Sequence, residues 1–123
     1  MRAQLAFRAG LQRMSDAGIA TFVAYGNHDP IGEGFSAIGA FPPEVTIFGA
    51  GEVGRAEVRI DDTLVATVSG ISYATRSETE NLALRFPPAK GKGFHVAVLH
   101  ANVGGQADHQ PYSPCSLDDL QAR

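Results

Sequence analysis

A chain of 123 residues with a net charge of −3 has room for one hydrophobic core and carries no global positive field that would draw in nucleic acid. Its 44% hydrophobic and 19% charged residues describe a globular protein and exclude a disordered one. The single cysteine, Cys115, excludes an internal disulfide and makes a reducing, cytoplasmic compartment the default; no apolar run approaches the ~20 residues of a membrane span.

Ala3, Phe7, Leu11 and Met14 fall at steps of four, four and three, which is the spacing of one helix face. Gly18 stands where a C-terminal cap belongs. The Arg-rich opening superficially resembles a transit peptide, but the helical period predicts an ordinary core-facing helix. Residues 19–25, IATFVAY, are β-branched and apolar without alternation, which predicts a strand covered on both faces in a parallel sheet. A loop rich in Gly, Asn, Asp and Pro follows over residues 26–34. A Pro-marked turn then leads into a second short strand, Val45 to Phe48.

Ala56, Val58 and Ile60 alternate with Glu57, Arg59 and Asp61, the pattern of a half-exposed strand. Asp61-Asp62 predicts a turn, and TLVATVSGISY a returning strand, so the pair is expected to form an antiparallel hairpin. SETENLALRF has the polar start and the Leu82/Phe86 spacing of a short helix, stopped by Pro87-Pro88. GFHVAVLHAN predicts a second strongly buried strand, ending at His100. After a polar loop, Ser116 can cap a helix with Asp119 at its third position. The helix begins as the chain runs out, so the polypeptide reads as cut rather than finished.

GAGEVG, residues 49–54, matches the glycine spacing of a dinucleotide site, but that chemistry needs a helix to follow. Residues 55–61 alternate with period two instead, so the glycines predict a turn. Cys115 has no local signature of a nucleophile and reads as a structural, partly buried thiol. Lys90 and Lys92 read as an exposed loop rather than a phosphate clamp.

His28 and His100 differ in kind, because each lies just past the end of an apolar strand, the edge where open α/β sheets bind ligands. Asn27 precedes His28 and Asn102 lies close to His100. An amide oxygen and a neutral imidazole can both ligate a metal, and Asp29 could hold the His28 ring as an acid–base pair. The bland alternative is a pair of polar turns. His95 points to the opposite sheet face and reads as structural, while His109 sits in the polar loop without an assignment.

GNHD after such a strand resembles the third signature block of the calcineurin-like metallophosphoesterases, and AVLHANVGG resembles their fourth. The strings LHANVGGQADHQPYSPCSLDDL and VSGISYATRSETENLALRFPP resemble the DNA-repair exonuclease branch, the SbcD-type and YhaO-like nuclease subunits. The resemblance implies an α/β fold: part of a four-layer α/β/β/α sandwich, incomplete at both ends, with residues 1–123 as a single partial nuclease domain. It implies Asn27 and His100 as ligands of one metal, His28 as the catalytic histidine at the scissile phosphate and Asp29 as its orienting partner. Two divalent ions, typically manganese, would flank a hydroxide that attacks phosphorus in line. DNA is the implied substrate; a homodimer and a coiled-coil, SMC-like ATPase subunit are the implied partners, with no membrane.

The departures from that family are specific. Its Asp-x-His and Gly-Asp-x-x-Asp blocks are not found before Asn27, where the only carboxylate among 26 residues is Asp16. No Gly-His-x-His follows His100. Two neutral ligands cannot hold a hard divalent cation tightly against water, so the chain by itself is expected to have little or no phosphodiesterase activity. No substrate-binding residue is assigned. Two other readings stay open: a metallophosphatase or nucleotide phosphodiesterase of the same superfamily, and an inactive binding or interaction fragment.

Overall fold

The computed structural model of the chain describes residues 2–31, 40–105 and 111–123. Helix α1 (Arg2–Asp16) stops as the sequence predicts, at Gly18 with φ +69°. The Ile19 N–H donates to Met14 O (2.9 Å) and the Gly18 N–H to Ser15 O (2.8 Å), the paired bonds of a Schellman cap. Leu11 is buried, but Phe7 and Met14 of the same stripe remain 38% and 39% exposed. The stripe is only partly covered because the strand beneath it is short. The Ser15 hydroxyl donates to the Glu44 carboxylate and ties the helix to the turn ahead of the second strand.

Strands β1 (Thr21–Val23) and β2 (Val45–Ile47) pair in parallel, with Phe22 opposite Thr46. The parallel pairing agrees with the apolar run. Coverage on both faces does not, since all three β1 residues are only half-buried and Ile19 is exposed. Strands β3 (Gly54–Ile60) and β4 (Thr63–Ile71) form the expected antiparallel hairpin. Asp61 and Asp62 turn it with φ +47° and +61°, two consecutive left-handed residues whose twist suits a tight hairpin.

Strand β5 (Phe94–Leu99) pairs in parallel with β4, at the edge of the sheet order β3-β4-β5. Here the expectation of a strongly buried strand is corrected. Phe94 is 78% exposed, residues 95–97 are also exposed, and only Val98 and Leu99 are half-buried. An apolar run has the same sequence in a covered strand as at an uncovered edge.

The segment expected to be a short α-helix is a single 3₁₀ turn, Leu82–Arg85. Phe86 leaves it extended (φ −69°, ψ 130°), as a residue ahead of proline must. Leu82 and Phe86 still do what their spacing predicts and join Ile71 and Tyr73 in the buried core. Arg85 pairs with Glu80 and donates to Gly51 O (2.5 Å), so the 49–54 glycine turn is pinned and runs straight into β3. That is the turn, not the helix-opening loop, that the alternation of residues 55–61 predicts.

Short strands β6 (Asn102–Val103) and β7 (Pro114–Cys115) pair in parallel and lead to α2 (Leu117–Gln121). The predicted capping box is complete: the Asp119 N–H donates to Ser116 Oγ (3.1 Å) and the Ser116 N–H to Asp119 Oδ2 (2.8 Å). Hydrogen bonds to the carboxylate from the Ser116 N–H first, then the Ser116 hydroxyl and the Asn81 amide, hold the Asp119 carboxyl below its usual range. Cys115 is buried, and burial pushes its thiol pKa up, with Asp119 adding to it, which suits a structural thiol.

Candidate functional site

The residues after β1 and β5 come together because β4 overshoots its ladder by two residues. In the β4–β5 register Ile71 stands opposite Leu99, so His100 emerges beside Ser72 and Tyr73. These two residues also grip the segment after β1. The Tyr25 N–H donates to Ser72 Oγ (2.9 Å), the Tyr73 N–H to Tyr25 O (2.9 Å) and the Ile31 N–H to Tyr73 O (3.0 Å). Ser72 Oγ in turn donates to Phe48 O (2.5 Å), and the Ser72 N–H donates to Gly49 O (2.9 Å). The polar turn after β1 is therefore held by the main chain that follows β4. Its two ends are stapled to buried main chain, and Asn27, His28 and Asp29 project between the staples.

Among the described residues, His100 is held by packing and not by a hydrogen bond. Its ring stands edge-on to Tyr73, with centroids 5.3 Å apart at 90°. On another side it meets the Gly26 backbone so closely that a Cβ there would lie 2.8 Å from both Cγ and Nδ1 of the ring. Only glycine fits at that approach. Asn27, His28, Asp29 and His100 line one cavity of about 490 Å³, with Ala3 and Phe7 of α1 contributing an apolar wall. Asn27 is half-buried, whereas His28, Asp29 and His100 are exposed. Among the described residues no hydrogen bond joins Asp29 to the His28 ring, so the orienting contact expected between them is not made. The Asp29 charge is felt at Tyr25, whose phenol pKa is raised by burial first and by Asp29 second.

Tyr73 has no solvent exposure, and burial pushes its phenol pKa up to about 12; Glu78 and Cys115 add to this while the Ser113 hydroxyl opposes it. It is a neutral wall of the site, not a phenolate ligand. The unfolded phenol ionises near 10 and the folded one near 12, so unfolding releases a proton between those values. Stability linked to this group is full below pH 10 and is lost as pH rises from 10 to 12. Melting temperatures across that window should fall more steeply in the native chain than in Tyr73→Phe.

His95 does not join this cavity. It lies exposed on β5 and lines a second one of about 570 Å³, together with Arg55, Lys90 and Arg123. His109 lies outside the described residues. Among the described residues no group of three or more His, Cys, Asp or Glu side chains could hold a metal ion. The Asn27 amide and the His100 imidazole suit a share of one ion's coordination and fall short of a two-metal centre. Gly26, Ser72 and Tyr73 escaped the sequence reading. The polar Ser72 closing an apolar strand was the available signal, the same one that singled out His28 and His100.

Two strand-end histidines beside an amide, on a mixed α/β scaffold, are the candidate donors and acid of this cavity. The chain is similar to a protein described as a metallophosphoesterase, and its mixed α/β architecture is consistent with a segment of such a fold. It is 32% identical over 120 residues to a curated protein of Bacillus subtilis (strain 168), "Uncharacterized metallophosphoesterase YhaO". The match covers 98% of this chain and 29% of that relative, so the chain spans under a third of the relative's length. No family model and no solved structure matches the chain. Among the described residues no helix is long and apolar enough to cross a membrane.

Proposed function

We propose that this chain forms part of the centre of a divalent-metal phosphodiesterase that acts on DNA, an exonuclease used in repair in the cytoplasm. The observation that carries the reading is the single cavity lined by Asn27, His28, Asp29 and His100 in a relative of the metallophosphoesterases. Asn27 Oδ1 and a His100 ring nitrogen would be donors to one ion, with further ligands supplied from elsewhere. The bound metals, manganese by resemblance, would supply Lewis-acid charge to the phosphoryl oxygens and an activated water. His28, exposed at the cavity and free of the Asp29 carboxylate, can turn toward a phosphodiester. As the P–O bond breaks, its ring N–H donates a proton to the departing oxygen. Asp29 contributes negative charge at the rim and would orient the protonated ring once substrate draws it in.

DNA as substrate rests on the resemblance of residues 68–88 and 99–120 to the exonuclease branch. A homodimer working with a coiled-coil ATPase subunit follows from the same resemblance. A net charge of −3 leaves attraction of the polyanion to local cations, the metals included. Calorimetric titration with Mn²⁺ tests the donor assignment. Asn27→Ala or His100→Ala should weaken binding by at least the ~10–100-fold that loss of an outer partner alone costs. Tight binding that survives both changes removes these residues from the site. Hydrolysis of small phosphoesters in preference to linear duplex DNA by the active protein would favour a phosphatase instead.

A further inference from the structure

We infer that Tyr73 is a positioning residue: its ring sets the orientation of the His100 imidazole, and its main chain holds the Asn27–Asp29 turn in register with that ring. The inference rests on the functional reading above for what His100 does, but the positioning is a property of the metal-free chain.

Three contacts converge on this one residue. Its N–H donates to Tyr25 O (2.9 Å), its carbonyl accepts from the Ile31 N–H (3.0 Å), and its ring stands perpendicular to that of His100 at a centroid distance of 5.3 Å. It can act as a fixed reference because it is fully buried in the cluster of Ile71, Leu82 and Phe86. His100, by contrast, is exposed, and among the described residues its ring makes no hydrogen bond. A metal-binding histidine is ordinarily oriented by a carboxylate or carbonyl on its second nitrogen. Here the orientation comes from two walls, the Gly26 backbone and the Tyr73 ring. The same residue thus touches both halves of the candidate donor pair, by its main chain on the β1 side and by its ring on the His100 side.

The test is the NMR spectrum of the chain with isotope-labelled histidine, comparing Tyr73→Phe, Tyr73→Leu and Gly26→Ala. Without metal, Tyr73→Phe should leave the His100 ring signals in place, because the ring and its edge are retained. Tyr73→Leu keeps the bulk but not the ring, and should shift His100 while His95, on the far face of β5, stays fixed. On addition of Mn²⁺, His100 should broaden alike in the native chain and in Tyr73→Phe, whereas Tyr73→Leu should need about tenfold more metal. A folded Tyr73→Leu with unshifted His100 signals overturns the inference. Should Tyr73→Leu fail to fold, Gly26→Ala decides: its new methyl must displace the ring, and an unmoved His100 signal overturns the two-wall account. If Mn²⁺ broadens neither His28 nor His100 in a longer form that supplies the remaining ligands, the functional reading fails, while the metal-free shifts of this chain still judge the positioning.

Discussion

Phe48→Ala should destabilise the chain by about 3–5 kcal/mol, the cost of emptying a fully buried aromatic site. Typical small domains hold only about 5–15 kcal/mol in all, so urea denaturation should show a large fall in midpoint or an unfolded protein. The position is costly because it joins two sheets. Phe48 is 2% exposed and stacks on Phe22 of β1, with ring centroids 6.3 Å apart. Its other face lies over Gly54 and Gly70, which are direct cross-strand partners in the β3–β4 hairpin. A Cβ on Gly70 would run into the Phe48 ring, and one on Gly54 would lie 2.9 Å from Phe48 Cδ1. Gly70→Ala should therefore cost about 1–3 kcal/mol by overpacking. The same change made in Phe48→Ala should cost much less, since the methyl then enters vacated space. Additive penalties in the double mutant would mean the ring does not sit in a glycine-lined slot.

His28→Ala should lower turnover on DNA by about 10²–10⁴-fold in an active form of the protein, the range expected for loss of a positioned general acid. That is roughly 3–5 kcal/mol of transition-state stabilisation. Manganese occupancy should change little, because His28 is exposed at the cavity rim while Asn27 and His100 are the proposed donors. Changes at those two positions should do the reverse and show first as a higher metal requirement. The role assigned to His28 is wrong if its removal empties the metal site and leaves turnover normal at saturating metal. A leaving group of low pKa sharpens the result: a general-acid defect should shrink on such a substrate and a binding defect should not.

The features legible from sequence are those decided between near neighbours. The Gly18 cap, the Asp61-Asp62 turn and the Ser116/Asp119 capping box form from residues within a few positions of one another, and all three are present. Periods of two and 3.6 placed the hairpin and α1 for the same reason. Strand ends marked by His28 and His100 pointed to a common rim, since polar groups after apolar strands must find either water or chemistry. Coverage was not legible. Phe94 and Val96 look like interior residues, yet the edge position of β5 leaves them in solvent. The short helix expected before Pro87 shrank to a 3₁₀ turn, because proline restricts the residue ahead of it and leaves too few residues for a stable α-helical segment.

By itself the sequence determined the caps, the hairpin turn and the α/β class, and it marked the candidate residues at the two strand ends. Only the tertiary structure decided that Ser72 and Tyr73 staple one strand end while Tyr73 faces the other, and that Gly26 must lack a side chain. Those contacts join residues 27 to 74 positions apart, and no pattern along the chain encodes which distant surfaces meet.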